Sequence, residues 1–220
     1  MSWIRGRTGR PIRFFARSGF CSILKGGKTG RTGDDMTTKK ELRSEMLKRR
    51  RAMDPAQVRK RSELICENVR TTDAYQRATC LCVYMPINNE AEADLLIGPA
   101  AADGKKVFIP KVIGDEMVFN AYEPEALAEG AFHIRESASE EVLEPDEKTL
   151  IILPGSVFDV HGHRIGYGGG YYDKYLSCHP QCMTIAVCFD FQIVADLPAE
   201  AHDICPQLIV SDERIIRSED

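Results

Sequence analysis

This chain has no paired Cys-x-x-Cys spacing, no Walker lysine and no long apolar run at its start, and each absence removes a class of function. Its eight cysteines are Cys21, Cys66, Cys80, Cys82, Cys178, Cys182, Cys188 and Cys205, and their spacing gives no disulfide framework or zinc finger. Cys178, His179 and Cys182 offer three ligands, but a structural zinc site needs a fourth and none stands nearby. Cys80, Cys82 and Cys188 lie in apolar, strand-like runs and read as reduced, buried thiols. The pattern Gly-x-x-x-x-Gly-Lys-Ser/Thr is missing, so the chain is not a P-loop enzyme. Residues 1–36 lack the apolar length of a transmembrane helix and the make-up of a secretory signal. No internal repeat or second-domain linker interrupts the 220 residues, which suit one domain with a real core.

Charge is unevenly placed. Residues 1–36 hold eight of the 29 basic residues but only two of the 33 acidic ones, leaving the remainder with 21 against 31, a net charge of −10. An acidic body does not attract nucleic-acid phosphates, so no nucleic-acid partner is expected, and any anionic substrate must be gathered by a local basic pocket. Residues 1–36 admit three readings: an organelle transit peptide, a basic arm for nucleic acid, or translated sequence upstream of a start at Met36. The last is preferred, because the capping-box pattern Thr38-x-x-Glu41 begins just after Met36. A disordered extension is expected under all three, with residues 37–220 as the folded domain, cytoplasmic and without a membrane partner.

The densest chemistry lies in Arg164-Ile165-Gly166-Tyr167-Gly168-Gly169-Gly170-Tyr171-Tyr172-Asp173. Four glycines let backbone N–H groups turn toward one anion, Arg164 adds a planar fork of donors, and Asp173 is a candidate ligand for a divalent cation. Spacing alone leaves open a tight turn with tyrosines used for packing. Lys39 and Arg43, four apart, project from one helix face and suit a shared polyphosphate. His161 and His163 suggest zinc only weakly and receive no role.

The wider stretch from Leu153-Pro154-Gly155-Ser156-Val157-Phe158-Asp159 through Gly162-His163-Arg164 to Lys174-Tyr175-Leu176 resembles the signature of the 5-formyltetrahydrofolate cyclo-ligase family. Lys39-Lys40-Glu41-Leu42-Arg43 resembles that family's N-terminal nucleotide-binding segment, and Tyr84, Met85 and Glu90 stand where its folate contacts lie. The likeness spans residues 38 to about 212. It implies ATP-driven conversion of 5-formyltetrahydrofolate to 5,10-methenyltetrahydrofolate with Mg²⁺, and it implies the same α/β class. It assigns Lys39, Lys40, Glu41, Leu42, Arg43, Arg164, Ile165, Gly166, Tyr167, Gly168, Gly169, Gly170, Tyr171 and Tyr172 to ATP, with Arg164 and Tyr171 nearest the chemistry. Met85 and Glu90 go to the reduced folate, polyglutamylated or not, and Asp173 and Asp203 to the metal. Gln207 stands where a further aspartate is expected. Tyr167 and Gly169 replace basic residues of some family members, which shifts charge onto Arg164, Lys39 and Arg43. Another ATP-dependent phosphoryl transferase and a folate-binding pseudoenzyme are the alternatives.

Periodicity places helices over 38–53, 55–69, 91–103 and 171–177, and strands over 79–85, 106–110, 117–122, 149–153, 184–189 and 207–210. The charged residues of the first helix, Arg50 among them, read as a solvated face. The Glu-rich segment 124–148 reads as mostly irregular. Strands alternating with helices predict a three-layer α/β/α domain with a largely parallel sheet, the glycine loop leaving the carboxyl end of a strand.

Overall fold

The computed structural model describes residues 38–130, 134–198 and 204–218; the expected N-terminal extension and Asp203 lie outside these residues. The first helix, α1 (Lys39–Arg51), starts on the anticipated capping box, in which Thr38 Oγ1 accepts from the Glu41 N–H and the Glu41 carboxylate accepts from the Thr38 N–H. Asp54 caps α2 (Pro55–Arg70) by accepting from the Ala56 N–H at 2.7 Å, with Pro55 in the tolerated first position. A short helix, α3 (Asp73–Arg77), follows on a Thr72 cap.

The strand expected over 79–85 is limited to β1 (Cys80–Cys82). The Val83 N–H still donates one ladder bond to Phe108 O, but the chain then turns, and Tyr84 anchors that turn by donating its hydroxyl to Ala91 O at 2.7 Å. The helix expected over 91–103 is a 3₁₀ turn at Ala93–Leu96 followed by α4 (Ile97–Ala102). Pro99 has no N–H to continue a preceding helix and is tolerated only in a first turn, so the α-helix starts just ahead of it.

Next come β2 (Lys106–Ile113) and β3 (Glu116–Ala121), an antiparallel hairpin. The segment expected to be irregular carries a second hairpin, β4 (Leu127–Glu129) and β5 (Arg135–Ser137). Its order comes from docking rather than local pattern: Glu136 Oε1 accepts from the Val112 N–H of β2 at 3.2 Å. The remaining elements are β6 (Thr149–Leu153), β7 (Val157–Asp159), β8 (Arg164–Ile165), α5 (Tyr171–Cys178), β9 (Met183–Val187), β10 (Ile193–Val194), β11 (Leu208–Val210) and β12 (Ile215–Arg217).

Among the described residues the main sheet runs β12-β11-β9-β6-β1-β2-β3, parallel through its centre with antiparallel edges at β12 and β3. All five residues of β6 are buried, and they alternate between two cores. Leu150 and Ile152 pack with Val58, Ile65 and Val69 of α2, while Ile151 and Leu153 pack with Leu176 of α5. Each such side chain contributes roughly 1.5–3 kcal/mol over exposure, and burial on both faces produces the three layers the sequence predicts. The thiols belong to this packing: burial pushes Cys66 up to about 12 and Cys182 up to about 11, which keeps both protonated.

A second sheet, β10-β7-β8, lies under α1, where Met46 joins Val157, Ile165 and Leu197 in a third apolar cluster. The glycine loop leaves the carboxyl end of β8 in this small sheet, not a strand of the main sheet. Buried Asp159 holds the β7–β8 turn by accepting from the N–H groups of His161 and His163 and from the His163 ring.

Candidate active site

A cavity of about 890 Å³ opens where α1, the turn after β1, the β2–β3 hairpin and the glycine loop meet. One side of it is cationic and rich in glycine. Lys39 and Arg43 enter from α1, one helical turn apart, and face the run Arg164–Asp173. Arg43 Nε donates to Gly166 O at 2.8 Å, so α1 is tied directly to the loop. Arg164 is buried and donates to Asp173 Oδ1 at 2.7 Å, while its Nε is a buried donor with no partner among the described residues. An unmet guanidinium N–H in a buried position is costly unless an anion arrives to accept from it.

The loop's shape depends on glycine at two places. Gly170 caps α5 with φ at +66°, a left-handed conformation that side chains rarely adopt, and it brings no side chain to accept from the first-turn N–H groups. A Cβ at Gly169 would approach the Tyr171 ring to 2.7 Å, so the ring lies against bare backbone. A helix start without a side-chain cap presents N–H groups and the positive end of its dipole, a fit for phosphate.

The other side is apolar, with Met85, Pro110, Val112 and Met117 on its walls and one buried carboxylate, Glu90. Glu90 Oε2 accepts from the Ile87 N–H at 2.9 Å, and Oε1 accepts from the Tyr167 hydroxyl. Arg50 NH1 stands 3.9 Å from Oε1. Burial pushes the Glu90 carboxyl up, opposed by Arg50, the Tyr167 hydroxyl and the Ile87 N–H. Burial and the Glu90 charge in turn push the Tyr167 phenol well above its ordinary value, so it stays a donor.

Arg50 is the residue sequence reasoning misread. Instead of facing solvent it is 1% exposed, and its guanidinium donates to Asn88 O, Ile87 O, Gly155 O and the Tyr167 hydroxyl. A signal was available: Arg50 follows Leu42 and Met46 at intervals of four, on the stripe that packs inward. Asn88 and Asn89 have φ of 49° and 54°, and Asn89 donates to the carbonyls of Arg50 and Met53, which closes the end of α1.

The cavity thus brings together Lys39, Arg43, Met85, Glu90, Arg164, Ile165, Gly166, Tyr167, Gly168, Gly169, Gly170, Tyr171, Tyr172 and Asp173. Lys40, Glu41 and Leu42 do not line it: Lys40 is exposed, Glu41 closes the capping box, and Leu42 packs on the third apolar cluster. Gln207 is bound into the sheet, its Oε1 accepting from the Thr184 N–H at 3.2 Å and its N–H donating to Thr184 Oγ1 at 3.0 Å. No group of three or more His, Cys, Asp or Glu able to hold a metal occurs among the described residues.

Residues 35–211 match the 5-formyltetrahydrofolate cyclo-ligase family. The chain is 31% identical to the probable 5-formyltetrahydrofolate cyclo-ligase of Schizosaccharomyces pombe, over 70% of this chain and 85% of that one. It is 29% identical to the 5-formyltetrahydrofolate cyclo-ligase of Mus musculus, over 76% of this chain and 90% of that one. The solved 5,10-methenyltetrahydrofolate synthetase of Aquifex aeolicus superposes with a TM-score of 0.74 at 31% identity, covering 83% of this chain and 93% of the other. On the extent of the match and the shared fold, the chain belongs to the 5-formyltetrahydrofolate cyclo-ligase family.

Proposed function

We propose that this chain converts 5-formyltetrahydrofolate to 5,10-methenyltetrahydrofolate in an ATP-driven reaction that releases ADP and phosphate. The observation that carries the reading is a single cavity in which Lys39, Arg43 and Arg164 surround a glycine loop while Met85 and buried Glu90 stand opposite. Such a cavity suits a polyphosphate and an apolar heterocycle with N–H donors, held together.

The formyl oxygen on N5 is a poor leaving group. In the proposed sequence the γ-phosphoryl group passes from its bridging oxygen to the formyl oxygen, N10 attacks the formyl carbon and loses its proton, and the carbon–oxygen bond breaks as phosphate departs. The enzyme needs no nucleophile for this. Its work is to align two anions and to neutralise charge on the transferring group. Arg164, with its unmet Nε, contacts the phosphates directly; Lys39 and Arg43 add charge from α1. The backbone of Gly166 to Gly170 and the start of α5 line the phosphates, and Tyr171 borders the reacting groups. Lys40, Glu41 and Leu42 frame the segment that presents Lys39 and Arg43. Glu90 accepts N–H bonds from the pterin, and Met85 packs against its ring.

Magnesium belongs to the same proposal. The described cavity carboxylates are Glu90, Glu136 and Asp173, and Asp173 is the one at the glycine loop. Mg²⁺ commonly takes one or two carboxylates and completes its shell with phosphate oxygens and water, so Asp173 fits an ion held mainly by the nucleotide, with Asp203 as the second carboxylate. The ion would supply charge neutralisation on the phosphates. Cys66, Cys80, Cys82, Cys178, Cys182 and Cys188 are free thiols, which supports a reducing, cytoplasmic setting. No helix of the described residues is long and apolar enough to cross a membrane.

The test is direct. Incubation with 5-formyltetrahydrofolate, ATP and Mg²⁺ should produce the absorbance of methenyltetrahydrofolate together with stoichiometric ADP; the absence of both products, with the protein folded, overturns the reading.

A further inference from the structure

The Tyr167 hydroxyl belongs to the glycine loop, yet its two hydrogen bonds run toward the apolar side of the cavity. It accepts from Arg50 NH2 at 2.6 Å and donates to Glu90 Oε1. We propose that Tyr167 is a positioning residue for the folate, not a nucleotide contact: with Arg50 it holds Glu90 charged and aimed into the cavity. The inference rests on the reading of Glu90 as the folate carboxylate.

The direction of the hydrogen bonds carries the argument. Glu90 Oε2 faces the Ile87 N–H, a donor only, and Arg50 is likewise a donor only. Tyr167 receives from Arg50 and therefore turns its own proton toward Glu90. Among the described residues, every group that meets this carboxylate is a donor, a set that matches the ionised form. Were Glu90 protonated, its O–H and the Tyr167 O–H would compete for acceptors in a place where burial leaves few. Each carboxylate oxygen has a second lone pair, so after these bonds Glu90 can still accept two parallel N–H bonds from a heterocycle.

Geometry also explains why the tyrosine can serve here. The Arg50 guanidinium lies over the Tyr167 ring at 5.8 Å from its centroid and simultaneously binds the carbonyls of Ile87 and Asn88, on the Glu90 turn, and of Gly155. One buried cation therefore links the turn that carries Glu90 with the loop that carries Tyr167. A tyrosine where a basic residue might stand exchanges a phosphate contact for a grip on the neighbouring substrate's carboxylate.

The test uses calorimetric affinities of the full chain for 5-formyltetrahydrofolate alone and for a non-hydrolysable ATP analogue alone, in Tyr167→Phe, Glu90→Gln and the double variant. Tyr167→Phe keeps the half-exposed ring and should fold. It should weaken folate binding about tenfold, the scale of one hydrogen bond to a charged group, and leave the ATP analogue within about twofold. Glu90→Gln should weaken folate binding at least as much, and the double variant should be no weaker than Glu90→Gln, because Tyr167 acts through Glu90. Additive losses in the double variant, or a loss confined to the ATP analogue, overturn the proposal. Unchanged folate affinity in Tyr167→Phe beside a weakened Glu90→Gln overturns it alone; unchanged affinity in Glu90→Gln removes the folate reading of Glu90 and this inference with it.

Discussion

Replacing Asp173 with asparagine separates two duties that the structure gives one carboxylate. Asp173 Oδ1 accepts from Arg164 NH2 at 2.7 Å, and the partners are unequally sheltered, with side-chain exposures of 5% for Arg164 and 26% for Asp173. Asparagine keeps an oxygen in place but removes the charge, so a hydrogen bond of about 1.5–3 kcal/mol becomes one of about 0.5–1.5 kcal/mol. Asp173 also sits in the first turn of α5, where a negative charge contributes roughly 0.3–1 kcal/mol through the helix dipole. Solvent reaches the carboxylate, which favours the low end of both ranges, so the net loss is about 1–2 kcal/mol. For a domain of this size that lowers Tm by roughly 2–8 °C. If Asp173 also anchors Mg²⁺, the metal concentration for half-maximal rate should rise several-fold, and excess metal should restore part of the rate because ATP phosphates still hold the ion. Calorimetric melting and a magnesium titration of turnover read the two effects independently. A lowered Tm with wild-type metal dependence would leave Asp173 as a helix-end partner of Arg164 and refute the metal role, whereas shifted metal dependence with an unchanged Tm would refute the energetics of the pair. Asp203→Asn should shift the metal titration as well, and Gln207→Ala should not, since Gln207 is occupied by Thr184.

Three further outcomes are expected. Arg164→Ala should lower turnover by roughly 10²–10³, as loss of a transition-state charge contact does, with a smaller effect on Tm, and Arg164→Lys should recover only part; equal turnover in all three proteins removes Arg164 from the phosphate site. Glu90, faced by Arg50, Tyr167, Tyr84 and Tyr172, has a carboxyl raised above its ordinary value of 4.5, with burial outweighing its donors. Because the folded pKa exceeds the unfolded one, its stability contribution is fully present below about 4.5 and declines as pH rises through the raised value. Glu90→Gln should therefore flatten that decline in a urea-unfolding series across pH, and an unaltered pH slope would contradict it. Removal of residues 1–35 should leave Tm and turnover nearly unchanged, as the family match begins only at residue 35; a large drop in either would show that the segment docks on the domain.

Much of the architecture was legible because it depends on neighbours in sequence. Thr38 and Glu41 form their capping box from residues three apart, and β6 reads as a buried strand because Leu150 to Leu153 are apolar without interruption. Where the reading fell short, a distant contact had overridden local pattern. Residues 135–137 form a strand because Glu136 binds the edge of β2, 24 residues away, and the helix expected over 91–103 is shortened by one proline.

The candidate site divides in the same way. The run Arg164 to Asp173, and the one-turn spacing of Lys39 and Arg43, follow from residue identity and helical period, and the sequence alone determined them along with the family they indicate. Tertiary structure alone decided which of these side chains share a cavity, why Lys40, Glu41 and Leu42 stand outside it, and what Arg50 does. Arg50 meets Asn88 across 38 residues, Gly155 across 105 and Tyr167 across 117. A charge is stable in the interior only when such distant carbonyls and hydroxyls converge on it, and no local period records that convergence.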